Sequence, residues 1–155
     1  MRADKSHALL WHGVFLFLLG LLTGLATGAM SNPRMGVSAH VEAVLNGMFL
    51  VVLGLLWHRL RLPAGWLTAL FWLALYGAYV NWASTLAAAI FGTGRTTPIA
   101  GAGHHGAAWQ ENLVDAGLYS LSVAMLAVSV IVLFGLRPGA DRPDEESPRH
   151  GEHPR

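Results

Sequence analysis

Apolar residues in this chain come in long blocks rather than in alternation. Residues 8–30, 38–57, 66–91 and 113–136 are hydrophobic almost without interruption, and polar punctuation separates them. Each block can cross about 30 Å of hydrocarbon at roughly 1.5 Å of rise per residue. None shows the period-two pattern of a barrel strand, and backbone in lipid must satisfy its own hydrogen bonds, so the blocks predict helices. The breaks agree with this: Ser31-Asn32-Pro33, Arg59 to Pro63, Gly92-Thr93-Gly94 and Gly135 to Pro138 are helix-ending stretches. The expectation is an all-α integral membrane four-helix bundle forming one domain over residues 1–137. From Asp141 the chain carries no apolar side chain apart from proline. Such a composition cannot offset ordering entropy, so residues 138–155 are expected to be a disordered polar tail.

Composition reinforces the membrane reading and narrows the chemistry. Of the 155 residues, 54% are hydrophobic and 12% charged, outside the usual range of soluble domains. The absence of cysteine excludes disulfides, thiolate metal sites and cysteine nucleophiles, so histidine must carry any metal chemistry. No basic stripe interleaved with aromatics is present; the expected partner is the lipid bilayer, not nucleic acid. Four spans put both termini and the middle loop on one side. That side holds Arg2, Lys5, Arg59, Arg61, Arg137, Arg142, Arg149 and Arg155, against Arg34 and Arg95 on the other. The positive-inside rule therefore places the termini in the cytoplasm, as in a bacterial inner membrane. Trp57 and Trp66 bracket the middle loop as expected interfacial anchors, and Trp109 marks the opposite surface. A cleaved signal peptide over residues 1–29 is the competing reading of the first block.

Polar groups inside the spans are the candidate site, because an ionisable side chain facing lipid is costly. The second span carries His40, Glu42 and Asn46 within seven positions. Glu42 and Asn46 share a face, whereas His40 lies about 160° round, so the two acid–base groups address different neighbours. The bland alternatives are a histidine bonded to a headgroup or loop carbonyl, and polar glue between helices. Glu111 and Asp115 stand one turn apart at the start of the fourth span; if both are buried, each raises the other's pKa, as a general acid or proton relay requires. The alternative leaves Glu111 among headgroups with only Asp115 buried. Tyr76, Tyr79 and Asn81 in the third span supply two phenols and an amide, of which Asn81 is the better candidate for a specific hydrogen bond.

The glycine-rich run Gly101-Ala102-Gly103-His104-His105-Gly106 lacks a P-loop lysine. It is expected to cap the site mouth, with His104 as a candidate proton shuttle. Paired-histidine haem ligation within one chain is not expected, since by the predicted spans His12 and His40 lie near opposite span ends, about 27 Å apart in rise. A haem on His40 alone keeps an open axial position, which suits Lewis-acid chemistry rather than electron transfer.

Three motifs, His40-x-Glu42-x-x-x-Asn46-Gly47, Tyr76-Gly77-x-Tyr79-x-Asn81-Trp82 and Pro98-Ile99-Ala100-Gly101-x-Gly103-His104-x-Gly106-x-x-Trp109-Gln110-Glu111, resemble the hydroxylaminobenzene mutase family over residues 8–136. More distantly, His12-Gly13 and His40-x-x-x-x-Leu45-Asn46-Gly47-Met48 resemble styrene oxide isomerase. The first resemblance implies an isomerase that converts an aryl hydroxylamine to an ortho-aminophenol, as in nitroaromatic degradation. Glu42, Asp115 and Glu111 are then the candidate catalytic carboxylates, and Asn46, Asn81, Tyr76 and Tyr79 the candidate substrate-positioning groups. The second implies a homo-oligomer, specifically a trimer, and ferric haem b with His40 as the iron ligand and Asn46 as a substrate contact. That motif has no carboxylate where this chain has Glu42. An epoxide isomerase and a small proton-coupled four-helix transporter are the alternative readings.

Overall fold

The computed structural model describes residues 2–137, and all of it is helix or connection. The expected tail, with His150 and His153, lies outside the described residues. The helices are α1 (Arg2–Ala26), α2 (Pro33–Leu56), α3 (Ala64–Phe91), the single turn α4 (Pro98–Gly101) and α5 (Ala108–Gly135), with short 3₁₀ turns after α1 and α2. The four long helices are long and apolar enough to cross a membrane. All four start before the predicted blocks, α3 by only two residues, because local signals set their ends. Asn32 caps α2, its side chain accepting from Met35 N at 3.1 Å, and Pro33 opens the helix where a missing N–H costs nothing. Gly92, at φ +69°, closes α3 in the left-handed conformation that glycine adopts freely.

Glycine brings α1 and α2 together. A Cβ on Gly13 would lie 2.7 Å from Gly47 O, and one on Gly20 would lie 2.9 Å from Ala43 Cβ, so the backbones meet where any side chain would hold them apart. The remaining order is serial: α2 packs on α3 and α3 on α5, α1 touches α3 lightly, and α5 does not pack along α1 or α2. The ring of a closed bundle is therefore open. Hydrocarbon offers no hydrophobic drive to close it, since the outward residues of α5, such as Leu113, Val123, Leu126 and Leu133, are as well solvated by lipid as by protein.

Two apolar clusters divide the interior. The larger joins Leu9, Leu16, Leu50, Leu53, Trp57, Leu70, Ala78 and Val128; the smaller joins Met35, Ala88, Ala89 and Val114. Trp57 corrects an expectation. It is wholly buried and packs edge-on against Phe71 at 6.4 Å instead of anchoring the interface. The cause is spacing, for Leu50, Leu53 and Trp57 follow the three-and-four rhythm of the buried stripe. Trp66 and Trp109 are exposed as expected.

Candidate functional site

Along α3, Ala78 belongs to one apolar cluster and Ala88 to the other, and between them come Asn81, Ser84 and Thr85. This polar layer receives Glu42 from α2. The Asn81 Nδ2 donates to Glu42 Oε2 at 2.6 Å, a charge-assisted bond that holds a carboxylate within the span. One turn further on α2, Asn46 is buried, and its Nδ2 has no hydrogen-bond acceptor. A buried N–H without an acceptor costs about 1–3 kcal/mol. Two of the residues singled out in the sequence, on separate helices, are thus brought into contact, and a third stands beside them with an unused donor. Thr85 turns its hydroxyl back to Asn81 O at 2.8 Å, which steadies that stretch of α3.

His40 faces the other way. Its Nδ1 is 2.7 Å from Gly20 O on α1. A carbonyl can only accept, so Nδ1 carries a proton, and in the neutral ring the lone pair is then on Nε2, the arrangement that metal-binding histidines use. The imidazole borders a groove of about 380 Å³ with Leu21, Gly24, Leu25, Thr27 and Val37. Gly24 lies close against the ring, where a Cβ would be 2.8 Å from Nδ1. The donor, the free nitrogen and the mostly apolar walls fit a flat hydrophobic ligand bearing a metal.

The tyrosines leave the layer. Tyr79 pairs with His12 Nδ1 of α1 at 3.0 Å, and Tyr76 donates to Ser120 Oγ of α5 at 2.8 Å. Tyr76 is therefore not brought to Glu42. Nor are the α5 carboxylates. Both are buried, Glu111 at 6% and Asp115 at 8% exposure, against the alternative that left Glu111 among headgroups. Yet their oxygens are turned to the connection ahead of α5. Glu111 accepts from the amides of Gly94, Arg95 and Gly106, and Asp115 is paired with Arg95 and Thr96. His104 is exposed and bonded to Gly101 O at 3.0 Å. No group of three or more His, Asp or Glu side chains suited to holding a metal ion occurs among the described residues.

Sequence reasoning missed three contacts. Trp82 Nε1 donates to Thr23 Oγ1 at 3.1 Å, His12 finds Tyr79, and Arg95 supplies the counter-charge for Asp115. Only the last had a signal, since Arg95 is one of two basic residues on the surface where Glu111 and Asp115 enter.

The sequence model of the styrene oxide isomerase family matches residues 5–137, every span and connection of the chain. The chain belongs to the styrene oxide isomerase family. Within reach of this member are two curated relatives from Ectopseudomonas oleovorans. Hydroxylaminobenzene mutase HabB is 48% identical over 153 residues, covering 98% of this chain and 93% of its own. Hydroxylaminobenzene mutase HabA is 45% identical over 125 residues, 80% of this chain and 93% of its own. No solved structure matches. This member of the family is an enzyme, an isomerase, and the transporter reading is set aside.

Proposed function

We propose that this isomerase rearranges hydroxylaminobenzene, or a ring-substituted relative, to the ortho-aminophenol. The observation that carries the reading is the Glu42–Asn81 bond inside the span, with the Asn46 amide unsatisfied one turn away. The reaction is redox-neutral: the N–O bond breaks, a C–O bond forms at the ortho carbon, the ring proton there leaves and nitrogen gains one. Positive charge develops on nitrogen and the ring as oxygen departs, and a fixed carboxylate in a dry, apolar surround stabilises it far better than water could. Glu42 supplies that charge and accepts the ortho ring proton. Asn81 holds the carboxylate in place, and Asn46 Nδ2 donates to the migrating oxygen. The apolar walls admit an aromatic ring already dissolved in the bilayer.

His40 Nε2, with Gly24 and Leu21 beside it, would hold ferric haem b in this reading. Bound there, the haem would supply a Lewis acid. His40 and Glu42 face different neighbours, so a homo-oligomer, a trimer by resemblance, is part of the proposal. Its location is the bacterial inner membrane with cytoplasmic termini, supported by the Lys and Arg distribution.

The test uses purified protein in detergent, offered hydroxylaminobenzene and styrene oxide separately, with products resolved by chromatography. Formation of 2-aminophenol that Glu42→Gln abolishes supports the proposal. Isomerisation of the epoxide alone favours the second reading, to which the matching family lends its name. An absorption spectrum of the same preparation, with His40→Ala beside it, tests the haem.

A further inference from the structure

The chain between α3 and α5 is fastened at three places. Glu111 reaches both of its ends, Oε1 accepting from Gly94 N at 3.3 Å and Gly106 N at 3.0 Å, and Oε2 from Arg95 N at 3.1 Å. Asp115, one turn on, takes Arg95 Nε at 2.7 Å and the Thr96 hydroxyl, while the other arm of Arg95 reaches Asn112 Oδ1 at 2.7 Å. From α2, Asn32 donates to Ala100 O at 3.2 Å and Gly101 O at 3.1 Å. Gly94 and Gly101 cross so closely that a Cβ on Gly101 would lie 2.7 Å from Gly94 Cα.

The fastening gives the connection a definite lower face. Ala100 of α4 packs on the cluster of Met35, Ala88, Ala89 and Val114. On α3 this cluster begins seven residues after Asn81, roughly 10 Å of helix, so it separates the connection from the polar layer. Two buried carboxylates with their oxygens filled by loop donors are expensive to desolvate and contribute no free acid or base. Their return is a fixed loop.

We propose that Glu111 and Asp115 are positioning residues that pin residues 94–106 as a stopper and keep bulk water from the Glu42–Asn81–Asn46 layer, thereby fixing the source of the product's oxygen. The product arm of this inference rests on the aryl hydroxylamine reading; the access arm does not. If water enters, the hydroxyl oxygen is lost as water after protonation, a solvent molecule adds its oxygen to the ring, largely at the para carbon, and the ring proton departs. The balance is again an isomerisation, but the oxygen comes from solvent.

The chain has no cysteine, so Thr85→Cys places a unique thiol at a position only 7% exposed in the layer. Arg95→Ala and Glu111→Gln are made in this background and in the natural one. Amide exchange at Gly94, Arg95 and Gly106, labelling of the thiol by a charged maleimide, and product oxygen in ¹⁸O water are then measured. The expected result is a tenfold or greater rise in amide exchange and thiol labelling. In the natural background it is para-aminophenol bearing solvent oxygen, against unlabelled ortho product from the unaltered enzyme. A loop that exchanges freely while labelling and oxygen source stay unchanged overturns the proposal, as do loop amides that remain protected in every variant that folds. If Glu111→Gln does not fold, Arg95→Ala, which removes the side-chain contacts to Asp115 and Asn112 that hold this end of the loop, decides the matter. If the unaltered enzyme forms no aminophenol, the substrate reading fails, and thiol access alone judges the stopper.

Discussion

Replacing Gly24 with alanine is a small change aimed at one hydrogen bond. The new Cβ would lie 2.8 Å from His40 Nδ1, 3.1 Å from Cε1 and 3.2 Å from Cγ. Ordinary contact begins at 3.4 Å, so the ring must retreat by 3.4 less 2.8, about 0.6 Å. The Nδ1 bond to Gly20 O, now 2.7 Å, then stretches to about 3.3 Å, past the usual range of such bonds. The net loss in stability is about 1 kcal/mol, because a single hydrogen bond is lost and the ring remains beside water or lipid. The functional loss is larger: without the carbonyl, Nε2 is no longer fixed as the lone-pair nitrogen, and losing such a supporting bond weakens metal ligation about 10–100-fold. Since only a side chain must give way, the backbone stays in place. Gly47→Ala is the matched contrast. Its Cβ meets Gly13 O at 2.7 Å and Phe17 N at 2.8 Å, so the helices themselves must part, and overpacking of that kind costs about 1–3 kcal/mol. Haemin titration followed by absorption, beside thermal unfolding of both variants, separates the cases. Gly24→Ala is expected to bind haem 10–100-fold more weakly with little change in Tm, and Gly47→Ala to unfold earlier while its folded fraction still binds. Haem affinity unchanged in Gly24→Ala would refute the link between the Gly20 carbonyl and the proposed haem site.

Glu42→Gln keeps the shape of the Asn81 contact and removes the charge, and turnover of hydroxylaminobenzene is expected to fall about 10²–10³-fold, the usual loss for one electrostatic group acting on a transition state. Asn81→Leu strips the carboxylate of its donor, worth about 1.5–3 kcal/mol, and should lower kcat/KM by roughly 10–150-fold when product is followed by chromatography. Asn46→Leu removes the unsatisfied buried amide: Tm is expected to hold or rise while KM increases, and a fall in Tm with unchanged KM would show that the amide is already satisfied. Tyr79→Phe frees His12 and is expected to cost about 1 kcal/mol of stability with turnover within twofold; a large loss of turnover would draw that pair into the site.

What the sequence could and could not disclose follows from the range over which each signal acts. The spans were readable because length and apolarity are local properties, and so was the division between His40 and Glu42, which helix geometry alone imposes. Trp57 was misassigned because its position next to charged residues suggested an interface while its spacing to Leu50 and Leu53 pointed inward; the spacing was the stronger signal. Asn81 was singled out, but its contact with Glu42 depends on the register of α3 against α2, which no local pattern encodes. The acids of α5 show the same limit. Their one-turn spacing suggested a pair working on each other, whereas Arg95, sixteen residues earlier than Glu111, had already claimed them through a fold the spacing does not describe.

The glycine contact between α1 and α2 has a consequence for biogenesis. The first hairpin can zip shut, backbone on backbone, as soon as its two segments leave the translocation machinery. At that moment Glu42 has no mate, because Asn81 lies in the third segment, which has yet to enter the bilayer. A half-made molecule therefore holds an unshielded acid in lipid until the third segment arrives. Insertion of that segment is thus drawn forward by the acid it will shield.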